Sequence, residues 1–292
     1  MGYLWALLGI VCIGSYMLPV RFSTTKGFSF FYLMGFGFFP VVILRWSSVR
    51  LLWAHPMWLG AALFSGVLWG LGQIAANLAL EEISLAKAVV YFNFNTLLNI
   101  FLGLIFFNEA TGMKSTALLL AGAALLVAGA IWVTKIPALP SKEGNLKKGV
   151  ILSLLAGLFW GVYFFPVTWV RHFDSQASPS IGQTDVLIGL VLGGLITALG
   201  VPLFAKIKKP APLDLALGFG SAFLWAAGMS GMLMSIQLLG LSRAVPIVNS
   251  NALVYTAWSL FVFKEIHFSE WPKVLGSVLL VLGGGVLMAL SN

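Results

Sequence analysis

Ten apolar runs follow one another along this chain, each about as long as a helix must be to cross a bilayer, roughly 20 residues. They are Tyr3–Phe22, Gly27–Leu44, Met57–Leu80, Leu85–Phe107, Ser115–Val133, Gly149–Val170, Ile181–Phe204, Leu215–Leu238, Ala244–Phe263 and Val274–Leu290. Hydrophobic residues make up 60% of the sequence and charged ones 9%. A soluble domain carries about a quarter of its residues as charge, so the expected fold class is all-α integral membrane. The formal charge of +8 sits between the apolar runs. It therefore points to loops lying against anionic lipid, with the bilayer as partner and no nucleic acid. The one cysteine, Cys12, cannot form an intramolecular disulfide. The first run has no charged flank or cleavage site and reads as a retained span.

The longest polar connection, Lys135 to Gly149, holds two prolines, a Gly-Asn turn signal and a charge cluster. It divides a single membrane domain, 1–292, into a first five-helix repeat (1–134), a polar linker (135–147) and a second five-helix repeat (148–292). The two halves echo each other. "GSYMLPVRF" and "GVYFFPVTW" align at a shift of 147, pairing Gly14, Tyr16, Pro19 and Val20 with Gly161, Tyr163, Pro166 and Val167. At a shift of 156, Trp69 meets Trp225, Gly72 meets Gly228, Asn93 and Asn95 meet Asn249 and Asn251, and Glu109 meets Glu265. At 154, Gly122 and Gly129 meet Gly276 and Gly283. An odd number of spans per half makes the second copy enter the membrane from the opposite side. The expected architecture is ten transmembrane helices as two inverted five-helix repeats, which is how secondary transporters build alternating access around a midplane site. Lys and Arg number twelve in the loops away from the termini and five on the terminal side. The excess predicts both termini outside and the cell membrane as the location.

The deep polar residues are mostly amides and aromatics. Tyr16 and Tyr163 belong to the repeated motif; Trp69 and Gln73 lie mid-span in the third run and Trp225 in the eighth. Tyr91, Asn95 and Asn99 share one face of the fourth, flanked by Asn93; Asn251 and Tyr255 repeat the spacing in the ninth, beside Asn249 and Ser250. Such amides either bond across helices as packing glue or line a solute cavity, where Trp and Tyr faces cover the C–H side of a sugar ring. No Lys or Arg lies mid-span to pair with phosphate or carboxylate. The expected cargo is neutral and polar. No metal-binding, phosphate-loop or nucleophile–base pattern is present in the sequence, so neither an enzyme nor a cofactor is expected. Asp185, in "GQTDVL", is the candidate for ion coupling through a desolvated carboxylate; the alternative is a helix-end charge favoured by the macrodipole. A shift of 154 sets Phe31 opposite it, so the first half has no matching acid. Glu109 and Glu265 read as gate or packing contacts. Pro19 and Pro166 free a carbonyl and permit a bend, suited to a gate or to shape alone.

The first-helix motif "GSYMLPVRF" and the segment "LWGLGQIAANLALEEISLAKAV" resemble the sugar-transporting branch of the drug/metabolite transporter superfamily, in particular bacterial glucose uptake proteins and, more distantly, rhamnose–proton symporters. The resemblance implies a ten-helix fold with a central cavity built from the first four helices of each half and a peripheral fifth and tenth. The expected function is monosaccharide uptake coupled to a proton or sodium gradient. A metabolite, amino-acid or drug exporter on the same fold is the alternative, and a cation channel or divalent-cation transporter a further one; a cation path calls for a ring of buried carboxylates, and the spans offer only Asp185.

Overall fold

A computed structural model of the chain describes residues 1–95, 98, 102, 106, 112–136, 144–174, 181–239 and 247–290. Every regular element among them is helical: α1 (Gly2–Ile13), α2 (Leu18–Phe22), α3 (Gly27–Phe36), α4 (Phe38–Leu44), α5 (Trp46–Trp53), α6 (Pro56–Glu82), α7 (Leu85–Phe92), α8 (Met113–Thr134), α9 (Leu146–Val162), α10 (Phe165–Phe173), α11 (Gln183–Gly200), α12 (Pro212–Leu239), α13 (Asn251–Ala257) and α14 (Trp271–Ala289), with short 3₁₀ and π turns. Seven stretches of described residues are long and apolar enough to cross a membrane. They correspond to the first, second, third, sixth, seventh, eighth and tenth expected spans. Shorter apolar helices, Met113–Gly129 and Ile247–Val262, stand for the fifth and ninth. Of the fourth, residues 85–95, 98, 102 and 106 are described; Asn99 and Glu109 lie outside the described residues. Large apolar side chains such as Leu4, Ile43, Phe64, Phe223 and Leu279 point outward. That would be costly in water and suits lipid.

The first and sixth spans are each broken at the repeated motif. The backbone turns at Gly14–Met17 and again at Tyr163–Phe164, and Pro19 and Pro166 then fall in the first turns of α2 and α10. A proline lacks the N–H that the first turn leaves unpaired anyway, so it starts a helix as readily as it ends one. The α-helix is thus interrupted by a short turn just before each of these prolines. The ninth span also departs from regularity: α13 runs into a π-helical turn, Trp258–Val262, and Lys264 follows with φ +48.

Close helix contacts recur in pairs. A Cβ placed on Gly66 would stand 2.3 Å from the Leu190 carbonyl and 2.8 Å from Gly193 Cα, so α6 and α11 touch backbone to backbone. Only small residues permit this approach. Gly37 of the first half meets Ala222 in the same way. Gly189 closes on Ala62 and Gly218 on Leu33; Gly72 closes on Phe159 and Trp160, and Gly228 on Cys12 and Ile13; Gly14 closes on Val254 and Gly161 on Leu98. Each of these contacts becomes its partner when residues are moved by 156, or by 147 in the first and sixth spans. The contacts also correct one alignment. The second and seventh spans follow 156, not 154, which sets Ser29 and not Phe31 opposite Asp185. The first half still has no acid there.

Candidate substrate-binding site

The face of α6 that carries Trp69, Gln73, Asn77 and Leu80, at successive steps of four, four and three residues, looks into the middle of the bundle. Trp69 packs on Trp225 of α12, ring centroids 4.1 Å apart at 36°, and Phe38 sits edge-on to both at 5.9 and 5.5 Å. The Trp69 carbonyl accepts a bond from the Trp160 indole at 3.3 Å. One turn along, the Tyr16 hydroxyl donates to Gln73 Oε1 at 2.7 Å, and Gln73 Nε2 donates to Asn77 Oδ1 at 2.9 Å. The break before α2 places Tyr16 here, because its own backbone carbonyl accepts from Ser221 Oγ of α12 at 2.6 Å. Tyr255 lies edge-on to Tyr16 at 6.4 Å. Tyr163 is buried in the turn before α10 and packs on Phe164. Tyr16, Trp69, Gln73, Trp225 and Tyr255, all expected from the sequence, thus converge where the halves meet.

Other expected residues are placed elsewhere. Asn93 stands in the turn after α7, and its amide donates to the Val89 carbonyl at 2.7 Å. The helical run from Tyr91 to Asn95 is interrupted at Asn93. Asn95, Asn249 and Asn251 are half-buried, the last opening α13 one turn before Tyr255. Asp185 lies at the end of the bundle where α5 and the start of α6 sit. It closes the first turn of α11 by accepting from Gly182 N at 2.9 Å, and it accepts from Ser48 Oγ at 2.5 Å with Arg45 at 3.8 Å.

The opposite end carries a feature that reading each residue in its own span does not reveal. Arg21 Nη2 pairs with Glu265 Oε1 at 2.6 Å, while its guanidinium donates to the carbonyls of Leu80 at 3.0 Å and Ile83 at 3.4 Å. Glu265 Oε2 in turn accepts from Leu85 N at 2.9 Å, the start of α7, and from Ser259 Oγ. The π turn and the left-handed Lys264 aim Glu265 at these donors; a non-glycine residue at that φ costs on the order of 1 kcal/mol or more, which the latch contacts offset. Beside it, Lys26 caps the end of α2 by donating to the carbonyls of Val20 and Arg21. Burial, then the neighbouring Arg21, pulls the Lys26 ammonium below the ordinary lysine range, against Asp214 and Glu81. Asp214 is fully buried and accepts from Ser23 Oγ, Thr24 N, Thr24 Oγ1 and Ala211 N at 2.6–2.9 Å, tying the connection before α3 to the start of α12. Lys87 is buried in the first turn of α7.

Fold and site together define an integral helical membrane protein with an aromatic and amide centre between its two halves. Residues 151–292 match the family described as "Sugar transport protein", a family of transport proteins and not of enzymes. The chain is 29% identical over 146 residues to Transmembrane protein 144 homolog A of Dictyostelium discoideum, covering 49% of this chain and 40% of that one. It is 32% identical over 134 residues to the probable glucose uptake protein GlcU of Priestia megaterium, covering 46% and 42%. The chain thus spans less than half the length of these relatives in the matched region. The resemblance to sugar-transporting membrane proteins stands on the family match and the glucose uptake protein. A solved crystal structure with 18% identity superposes at a TM-score of 0.59 over 99% of this chain and 97% of that one, which shows a shared fold.

Proposed function

We propose that the protein is a secondary transporter that moves a neutral monosaccharide by alternating access. The single observation that carries this is the convergence of Tyr16, Gln73 and Tyr255 beside the Trp69–Trp225 pair, with side chains drawn from both halves. Amide and hydroxyl groups bond sugar hydroxyls as donors and as acceptors, and the indole faces cover the C–H side of the ring. Asn95, Asn249 and Asn251 complete the site when a solute is bound. In this reading the ten spans form two inverted repeats, 1–134 and 148–292; the reciprocal glycine contacts, which exchange under the shifts of 156 and 147, support it. Pro19 and Pro166 mark the hinges, both termini lie outside the cell membrane, and Asp185 serves the driving proton or sodium ion. The test is a thermal-shift screen of purified protein against a monosaccharide panel that includes D-glucose, followed by uptake into proteoliposomes. A bound solute stabilises the native state in proportion to its occupancy. A melting temperature indifferent to every sugar, with no flux, sinks the reading.

A further inference from the structure

Two buried donors between the central cluster and the Arg21–Glu265 pair have no partner. Asn77 is 1% exposed; its Oδ1 accepts from Gln73, but its Nδ2 is unbonded. Arg21 Nε is likewise buried and unbonded, although the rest of that guanidinium bonds Leu80 O, Ile83 O and Glu265. Leu80, whose carbonyl accepts from Arg21 Nη1, is three residues beyond Asn77 on α6. A buried donor left unmet is destabilising, and two of them toward this end of α6 call for an acceptor that arrives. The ladder Tyr255, Tyr16, Gln73, Asn77 leads from the aromatic centre toward them, and the latch closes the far end.

We infer that Asn77 Nδ2 and Arg21 Nε form a second solute station, on the side of the central site closed by the Arg21–Glu265 latch. Its ligand is a hydroxyl or ring oxygen of the same neutral sugar, held after it leaves the Trp69–Trp225 pair and before the latch opens. A water in that place would satisfy the same donors without affecting transport, and this is the outcome that the test separates. The inference rests on the transport reading above. In the closed latch Arg21 is anchored at three other atoms, so Asn77 is the position to vary.

The experiment measures D-glucose flux in proteoliposomes of known orientation, with sugar presented first at the face bearing Arg21 and then at the other. Asn77→Leu removes the orphan donor, and Asn77→Asp keeps the acceptor for Gln73 at unchanged size. Should Asn77→Leu fail to fold, Asn77→Asp carries the comparison. The expected result is a half-saturation raised about tenfold at the Arg21 face and changed less than twofold at the other. Asn77→Gln, which keeps both groups, restores most of the loss. Equal changes at both faces, or none at either, overturn the station. Wild-type protein that carries no sugar overturns the transport reading itself, before any variant is made.

Discussion

At the scale of single residues, the centre is a chain of hydrogen bonds that runs from Tyr16 through Gln73 to Asn77. Tyr16→Phe takes the donor from Gln73 Oε1 in a fully buried place. The expected cost is about 1–3 kcal/mol of stability, read as a lower melting temperature, with a higher half-saturation for sugar. Unchanged values in both would mean that Gln73 has another donor and that Tyr16 does not order the site. Asp185 offers a contrasting case, since its oxygens are already engaged by Gly182 N and Ser48 Oγ. If it serves the driving ion, Asp185→Asn abolishes gradient-driven accumulation and leaves sugar exchange intact; an Asn variant that still concentrates sugar reduces it to a helix-end charge. Tyr16, Gln73 and Tyr255 were legible because a polar group in an apolar run is conspicuous. Asn77 carried the same signal, four residues after Gln73, but it lies near the end of its run, where a polar side chain is expected to meet water. The Arg21–Glu265 pair was only half legible: Glu265 reads as a gate or packing contact, but Arg21 reads as an ordinary loop charge until the fold brings together two ends of the chain.

The helices themselves show which elements the apolar pattern can define. Long runs such as the third and eighth spans appear as the unbroken α6 and α12. The breaks at Gly14–Met17 and after Phe92, and the π turn at Trp258, follow from neighbours; hydropathy averaged over a span passes over a single missing turn. Small residues decide how near the elements come. Gly66→Ala would drive a methyl to 2.3 Å from the Leu190 carbonyl, so α6 and α11 must separate. Overpacking of this kind costs typically about 1–3 kcal/mol. Gly60, on the same helix, has nothing within 4 Å of its missing Cβ. Gly60→Ala is therefore expected to be neutral, or to gain up to about 1 kcal/mol from helix propensity. Thermal unfolding of the two variants in one detergent checks the contrast, and equal behaviour would show that the close approach of α6 and α11 contributes nothing.

For the molecule as a whole, the doubled sequence motif foretold more than any composition argument, because a repeat fixes which contacts must come in pairs. It could not foretell which end of the bundle carries such a pair. Arg21 and Glu265 join α2 and the ends of α6 and α7 to the segment after the π turn, and in the transport reading they close that end. At the other end the ion pair is the wider Arg45–Asp185 contact at 3.8 Å, and Arg171 is placed differently. That guanidinium lies over the Trp58 ring at 5.4 Å, and its Nε and Nη2 are buried without a partner. A carrier that alternates must open the first end, so weakening the latch should shift the population toward that state. Glu265→Gln keeps an acceptor for Leu85 N and Ser259 but removes the charge facing Arg21. Each 1.4 kcal/mol lost from the closed state raises the open fraction about tenfold, as long as that fraction stays small. Ser84 lies directly beneath the latch, between the Ile83 carbonyl that Arg21 binds and the Leu85 N–H that Glu265 binds, and is 1% exposed. In a Cys12→Ser background, a cysteine placed by Ser84→Cys should react slowly with a membrane-impermeant maleimide. Adding Glu265→Gln should speed labelling about tenfold, and only for reagent supplied on the Arg21 face. Equal labelling rates with and without the Glu265 charge would mean that the pair holds the fold together and does not gate it.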